Sequence, residues 1–285
     1  MLMNWEFFAF ISIISTSIAA LFERALMRDD TSNPISFAII FQFVLGAITL
    51  CLALVFGKFI LPTDGTMWFR YIISAFLWAG STVASLNAMK LLPVGEAIII
   101  GTFNVIVSIT LGIILFNEQL TPNAILGTLL IILAILIVFS EKLSFKSKSG
   151  IIFALLSALF GGIAVINDIF ILKTYEAFSY TTIMSFLPGL VLLSFFPKQL
   201  IKNYSLFNFK IIKTMMLLAF FYSIQAVTYY MAIEQNAPIS NLSPLSKSSI
   251  ILTVLLAAIF LKERTHIPKK IFAAIIVTVG AILVG

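Results

Sequence analysis

The chain has 285 residues, of which 61% are hydrophobic and 11% are charged. Ordinary globular proteins have about 45–50% apolar and about 25% charged residues, so this composition excludes a soluble enzyme, a disordered protein and a secreted disulfide scaffold. The net charge of +6 does not indicate nucleic-acid binding, because Lys and Arg of membrane proteins collect in cytoplasmic loops. The single cysteine, Cys51, excludes an internal disulfide and a cysteine-based metal site. We expect no metal and no cofactor.

Apolar runs along the chain predict ten transmembrane helices, since about 20 apolar residues cross the hydrocarbon core. Prolines fall at several of the predicted helix starts, where a missing N–H has little effect. The expected fold is an all-α, multi-pass protein of the cytoplasmic membrane with the lipid bilayer as a partner. The spans lie near residues 4–22, 35–57, 67–88, 93–116, 122–140, 150–172, 180–196, 210–232, 238–261 and 268–285.

The two halves of the sequence share a pattern. Pro93 and Glu118 bound the fourth span, Pro238 and Glu263 bound the ninth, and the two pairs are 145 residues apart. The same offset aligns Glu23, which directly follows the first span, with Asp168 in the sixth span. We therefore predict two five-helix repeats over residues 1–141 and 149–285. Five is an odd number, so the second repeat is inverted, an arrangement typical of carriers that work by alternating access.

The ends of the fourth and ninth spans carry a family resemblance. Residues 115–122 read Leu-Phe-Asn-Glu-Gln-Leu-Thr-Pro and residues 260–265 read Phe-Leu-Lys-Glu-Arg-Thr, each before a last apolar helix. With ten helices in two repeats, the chain resembles the drug/metabolite transporter superfamily, EamA type. The sequence departs from the pattern in Gly127 and Gly280, which are not at equivalent positions. The resemblance implies a carrier of small organic solutes whose cavity is lined by helices one, three and four of each repeat.

The distribution of basic residues predicts the orientation. Apart from Lys247, 14 Lys and Arg residues lie in the loops or at the helix ends on the side away from the termini, and three lie on the side of the termini. The positive-inside rule then places both termini on the non-cytoplasmic side. The family resemblance implies the reverse, and we expect the charge distribution to decide.

Lys247 is the clearest charge inside a predicted span, and such charges are expected to be functional. Pro244 cannot donate to its helix, so it frees an acceptor just before the lysine. With Ser248 beside it, the ammonium suits binding of a carboxylate or phosphate. The alternative is that Lys247 neutralises a buried acid and only holds helices together.

Two acidic residues, Glu23 and Asp168, occupy equivalent positions near the ends of the first helix of each repeat. Inversion places them near opposite sides of the membrane, where they are candidates for gating or proton coupling. Each could also pair with Lys247 in a different conformation. For Glu23 the alternative is an interfacial helix end, since Arg24 follows it.

A third acid, Glu96, lies three residues inside the fourth span. One interpretation is a first-turn acid favoured by the helix dipole. The other is a gating or coupling residue that faces the cavity and complements an amine of the substrate. Glu118 and Glu263 are expected to have structural roles at helix ends.

The third and eighth spans contain polar and aromatic residues that are candidates for lining the cavity. Trp78 shares a helical face with two serines, and Tyr222, Gln225 and Tyr229 share another because they are three and four residues apart. Asn87 completes the predicted binding site. The alternative is ordinary hydrogen bonding between helices.

These observations favour a secondary transporter of a small anionic or zwitterionic solute, such as an amino acid or a nucleotide-related metabolite, driven by proton coupling or by exchange. The alternative is a multidrug exporter for cationic or amphipathic compounds. An intramembrane enzyme is disfavoured, because one His and one Cys supply neither a nucleophile–base pair nor a metal cluster. A purely structural protein would not need an inverted repeat. We expect a monomer or a homodimer, and no nucleic-acid partner.

Overall fold

A computed structural model of the protein describes residues 5–28, 31–56, 59–116, 121–139, 145–172, 174–235 and 246–284. All regular elements in these ranges are helical. They include a 3-10 turn at Tyr204–Leu206 and a π-helical turn at Ala257–Leu261. The α-helices are α1 (Trp5–Met27), α2 (Pro34–Val55), α3 (Gly65–Leu91), α4 (Val94–Gly101), α5 (Phe103–Phe116), α6 (Pro122–Phe139), α7 (Phe145–Leu172), α8 (Ala177–Phe195), α9 (Pro197–Lys202), α10 (Phe209–Glu234), α11 (Ser249–Leu256) and α12 (Ile267–Val284).

Long apolar helices dominate the described part of the chain, which confirms the predicted all-α multi-pass membrane fold. Within the described ranges, six stretches are long and apolar enough to cross a membrane: Trp5–Met27, Pro34–Val55, Gly65–Leu91, Lys148–Leu172, Ala177–Phe195 and Phe209–Ala232. The same ranges include three shorter apolar stretches, Val94–Val107, Ile125–Ile137 and Ser249–Leu261.

The predicted fourth span is two helices rather than one. The chain turns at Thr102 between α4 and α5, where the Thr102 hydroxyl donates a 2.5 Å hydrogen bond to the carbonyl of Ile99. Side-chain bonds of this kind compete with the helical ladder, and the preceding glycine, Gly101, weakens the helix further. A second turn at Ser248 precedes α11, and the repeat offset aligns Thr102 with Lys247. Both halves of the protein therefore have an interrupted helix at nearly the same place.

Helices of the two repeats pack against each other in mirrored pairs. The helix α1 packs along α10, and α3 packs along α7. The Ser12 hydroxyl donates to the carbonyl of Gln225 at 3.2 Å, and the Ser157 hydroxyl donates to the carbonyl of Ser81 at 3.0 Å. Ser12 and Ser157 are 145 residues apart, and Ser81 and Gln225 are 144 apart. The two bonds are thus equivalent, and the predicted two-repeat architecture is confirmed.

The last helices of the repeats, α6 and α12, also pack together. At their crossing, a Cβ atom on Gly280 would lie 2.8 Å from the carbonyl oxygen of Gly127. Small residues allow helices in lipid to approach closely. The two glycines that break the sequence symmetry therefore meet at one contact between the repeats.

The helix bundle has a distal end and a terminal end. The distal end contains Met27, Leu91 and Val94, where α1 and α3 finish and α4 begins. The terminal end contains Trp5 and Leu172, where α1 begins and α7 finishes.

Candidate functional site

Asp168 of α7 lies in a polar cluster near the terminal end, and only 3% of it is exposed. The Ser74 hydroxyl donates to its Oδ1 at 2.5 Å, and the Trp78 indole N–H donates to its Oδ2 at 2.8 Å. Tyr180 of α8 is hydrogen-bonded to the same carboxylate. Among the described residues, no Lys or Arg forms an ion pair with Asp168. Asp168 is therefore an acid whose hydrogen-bond donors are neutral side chains.

Aromatic rings extend this cluster. Tyr180 packs edge-on against Tyr230 of α10, with 5.5 Å between ring centroids, and Tyr230 contacts Tyr229 at 5.6 Å. Tyr71 is fully buried beside Tyr180, and its hydroxyl has no hydrogen-bond partner in the described part of the chain. Tyr229, a predicted site residue, thus reaches Asp168 through two other tyrosines.

Glu23 of α1 occupies the mirrored position near the distal end. The Ser85 hydroxyl donates to its Oε1 at 2.6 Å. Tyr222 of α10 lies close enough to interact electrostatically with Glu23, and its ring packs edge-on against Phe41 at 5.4 Å. The offset of 144 aligns Tyr222 with Trp78, so each acid has an aromatic neighbour from the mirrored helix.

Lys247 is half-buried and precedes the turn at Ser248. The Ser248 carbonyl accepts the backbone N–H of Ile251 at 3.1 Å as α11 begins. Neither Glu23 nor Asp168 pairs with Lys247 in this conformation, and within the described ranges the ammonium has no ion pair. The proline predicted to loosen this helix, Pro244, lies outside the described residues.

Other predicted site residues are engaged in different ways. The Asn87 side chain donates to the carbonyl of Val83 in its own helix at 2.8 Å. Gln225 uses its backbone carbonyl to accept from Ser12, and its side chain is half-buried. Glu96 forms a 2.9 Å ion pair with Lys270 of α12. The structure therefore brings Glu96 against α12 rather than beside Lys247.

An apolar groove of about 430 Å³ lies between α5, α6 and α7, where Phe103, Ile132, Ile152 and Leu159 line it. It contains none of the predicted site residues, and its walls are apolar side chains. No three His, Cys, Asp or Glu residues group as metal ligands in the ranges that the structure describes.

Comparisons with known proteins agree with this architecture. The EamA-like transporter family matches the chain twice, at residues 3–140 and 148–285. The chain belongs to the EamA-like transporter family. It is therefore a multi-pass membrane transporter of small solutes. No protein among the curated ones matches it.

The solved structures that share the fold of this EamA-like transporter include a crystal structure with a TM-score of 0.62 and 12% identity. The match covers 97% of this chain and 94% of the other. At that identity the likeness shows the fold alone.

Sequence reasoning did not identify Ser74, Ser85 and Tyr180 as partners of the two acids in this EamA-like transporter. Ser74 and Trp78 are four residues apart in α3 and share a helical face, so spacing alone could have joined them. Tyr180 carries no such signal, because it reaches Asp168 only through the packing of α8 on α3 and α7.

Proposed function

We propose that the protein is a secondary carrier of a small anionic or zwitterionic metabolite and works by alternating access. The observation that carries this proposal is Lys247, a half-buried cation at a helix interruption with no ion pair among the described residues. A charge inside a membrane is costly and is retained for a pathway or a partner. An acidic group of the substrate is the partner that fits this ammonium.

Interrupted helices support this location. Carriers with inverted repeats bind their substrates near the bilayer midplane, where discontinuous helices expose backbone groups. Here the turns at Thr102 and Ser248 interrupt the fourth and ninth spans at nearly equivalent places. In the proposed site, Lys247 holds the acidic group, and the remaining contacts come from Ser248, Tyr222, Gln225, Tyr229, Trp78 and Asn87.

Asp168 and Glu23 are the proposed coupling residues. Each is a carboxylate within the membrane whose hydrogen-bond donors include a serine hydroxyl, and each lies near a different end of the bundle. An acid held by neutral donors can gain and lose a proton without breaking an ion pair. The driving force is then a proton gradient or exchange of substrates. Glu96, paired with Lys270, is assigned to gating at the distal end.

We place the carrier in the cytoplasmic membrane with both termini on the non-cytoplasmic side, so that the distal end faces the cytoplasm. The repeat units are residues 1–141 and 149–285. The support is the excess of Lys and Arg in the loops of the distal end.

The test is transport by purified protein in proteoliposomes. Wild type, Lys247→Met and Lys210→Met are compared, the last as a matched control because Lys210 is exposed. Amino acids, nucleosides, organic anions and cationic drugs are screened with and without a proton gradient. We expect flux of an anion or zwitterion in the wild type and in the control, and its loss in Lys247→Met. Equal flux of such a solute in all three proteins would overturn the role of Lys247.

The multidrug exporter is the second candidate, and one observation favours it. Asp168 accepts from Trp78 and Tyr180, and aromatic faces beside a carboxylate can bind an organic cation. The same screen separates the two functions. Flux of a cationic drug that survives Lys247→Met and disappears in Asp168→Asn would replace the metabolite carrier with the exporter.

A further inference from the structure

An ion pair joins the two repeats at the distal end. Arg24 Nε lies 2.8 Å from Glu263 Oε1, and the two side chains are 14% and 13% exposed. Arg24 comes from the last turn of α1 in the first repeat. Glu263 follows the π-helical turn of the second repeat, where the chain leaves the helix through Lys262 in the left-handed region at φ 56°.

This ion pair also binds the turn between α3 and α4. Arg24 donates to the carbonyls of Met89 and Lys90 at the end of α3, and Glu263 Oε2 accepts the N–H of Val94 at 2.9 Å. The last carbonyls of a helix carry partial negative charge and its first N–H groups carry partial positive charge. Each side chain therefore meets the helix end of opposite charge. We call Arg24, Glu263 and the turn between α3 and α4, which both side chains bind, the distal clamp.

A second ion pair lies at the same end. Glu96 in the first turn of α4 pairs with Lys270 in the first turn of α12, at 2.9 Å, with 16% and 7% of the side chains exposed. It again joins the first repeat to the second. Both pairs must break if the start of α4 is to move away from α11 and α12.

By the repeat offset, the arginine of the distal clamp has no basic counterpart at the terminal end. The repeat offset of 145 places Glu118 opposite Glu263, but it places Ile169 opposite Arg24. At the terminal end, Glu118 is therefore the acid expected beside the turn between the eighth and ninth spans. No arginine equivalent to Arg24 is there to bind the carbonyls at the end of the eighth span. Glu118 itself lies outside the described residues.

The second ion pair is also absent from the mirrored sequence. The offset places Asn241 opposite Glu96. The register set by the prolines that open α6 and α12 places Ala124 opposite Lys270. Three of the four charged residues therefore have an apolar or neutral residue in the other repeat.

We infer that the distal clamp biases the carrier, so that its resting state is closed at the distal end and opens at the terminal end. The inference rests on the proposed alternating-access function. Opening the distal end breaks two largely buried ion pairs and uncaps the ends of α3 and α4. Opening the terminal end breaks neither pair, so an otherwise symmetric exchange becomes asymmetric.

Distances between spin labels test this bias without a known substrate. In a Cys51→Ser background, one protein carries labels at Lys148 and Thr265 at the distal end, and another at Glu6 and Thr174 at the terminal end; all four positions are exposed. A label at Lys148 follows the turn between α3 and α4, because a Cβ on Gly150, two residues later, would meet Leu92. Pulsed EPR in nanodiscs gives the distance distribution for each pair.

The clamp is removed in the double variant Arg24→Gln with Glu263→Gln. We expect the wild type to show one short distance at the distal end. The double variant should add a longer distal population and a shorter terminal population. The matched control is Arg264→Gln, which removes an exposed charge from the same hairpin and should leave both distributions unchanged. If the double variant does not yield folded protein, Arg24→Gln alone is measured, with a smaller shift in the same directions.

Unchanged distances at both ends in a folded variant would overturn the clamp while leaving the proposed transport function intact. If the wild-type protein transported none of the screened solutes, the proposed function itself would be contradicted. The asymmetry has its own test in Ile169→Arg, which supplies the missing partner for Glu118. It should increase the short population at the terminal end, and an unchanged terminal distribution would show that the absent arginine does not cause the bias.

Discussion

The indole of Trp78 donates a 2.8 Å hydrogen bond to Asp168 and thereby joins the third helix of one repeat to the first helix of the other. Ser74, one turn earlier in α3, binds the second carboxylate oxygen. The neighbouring Asn167 donates to Ser74 at 2.8 Å and accepts from Arg70 at 3.2 Å. The side chains of Asn167 and Ser74 thus lie between Arg70 and the Asp168 carboxylate, and Arg70 does not pair with that carboxylate directly.

Replacing Asp168 with Asn should uncouple transport from protons. The Asn amide has nearly the size of the carboxyl group but does not ionise, so it cannot carry a proton. Flux should therefore no longer respond to a proton gradient, whereas exchange of substrate should persist. The measurement is counterflow and proton-driven uptake in the same proteoliposomes. Ser74→Ala is the control, because it removes one donor and keeps the acid. A gradient response like that of wild type in Asp168→Asn would rule out this role.

Gly280 should not tolerate a side chain. A Cβ there would lie 2.8 Å from the carbonyl oxygen of Gly127, a backbone atom that cannot rotate away. We expect Gly280→Ala to destabilise the protein by about 1–3 kcal/mol, the usual effect of overpacking. The measurement is the melting temperature in detergent. Gly101→Ala is the control, since its Cβ would meet nothing within 4 Å, and an equal melting temperature for both variants would contradict the prediction.

The ion pair between Glu96 and Lys270 should be essential for stability as well as gating. Removing one partner leaves a largely buried charge alone, which typically destabilises by about 3–5 kcal/mol. Lys270→Met should therefore lower the melting temperature far more than Lys198→Met, a substitution at an exposed lysine. Exchanging the charges in Glu96→Lys with Lys270→Glu should restore most of the loss. A double variant no more stable than Lys270→Met would argue against pairing.

The orientation can be measured on the full chain. In the Cys51→Ser background, Glu6→Cys and Lys148→Cys place single thiols at the terminal and distal ends. A membrane-impermeant maleimide added to intact cells should label Glu6→Cys, and Lys148→Cys should react only after lysis. The reverse labelling pattern would place the termini in the cytoplasm, as the family resemblance implied.

The helices could be predicted from sequence because each depends on a local run of apolar residues. The repeat could be predicted because the same spacing recurs in the second half of the chain. Apolar runs have the length that a bilayer requires, and the spacing of Pro93 and Glu118 recurs at Pro238 and Glu263. The interruption at Thr102 could not be located in this way, since its residues are apolar enough to continue the span. It depends on a hydroxyl that bonds to its own helix.

The candidate site was only partly predictable. Asp168, Glu23 and Lys247 were identified because ionisable residues are rare inside membranes. Their partners were not, because Tyr180 and Ser85 come from other helices, and side chains distant in sequence meet only after packing. Glu96 shows the same limit, since its pairing with Lys270 joins helices from different repeats.

The sequence by itself determined that the protein is a helical membrane protein built from two repeats, because the length of its apolar runs, the rarity of charges within them and the internal spacing can all be read without knowing the tertiary structure. Only the tertiary structure decided which residues meet: Trp78 with Asp168, Gly280 with Gly127, and Arg24 with Glu263. In lipid the hydrophobic effect does not select helix partners, so close packing and hydrogen bonds between helices make that choice.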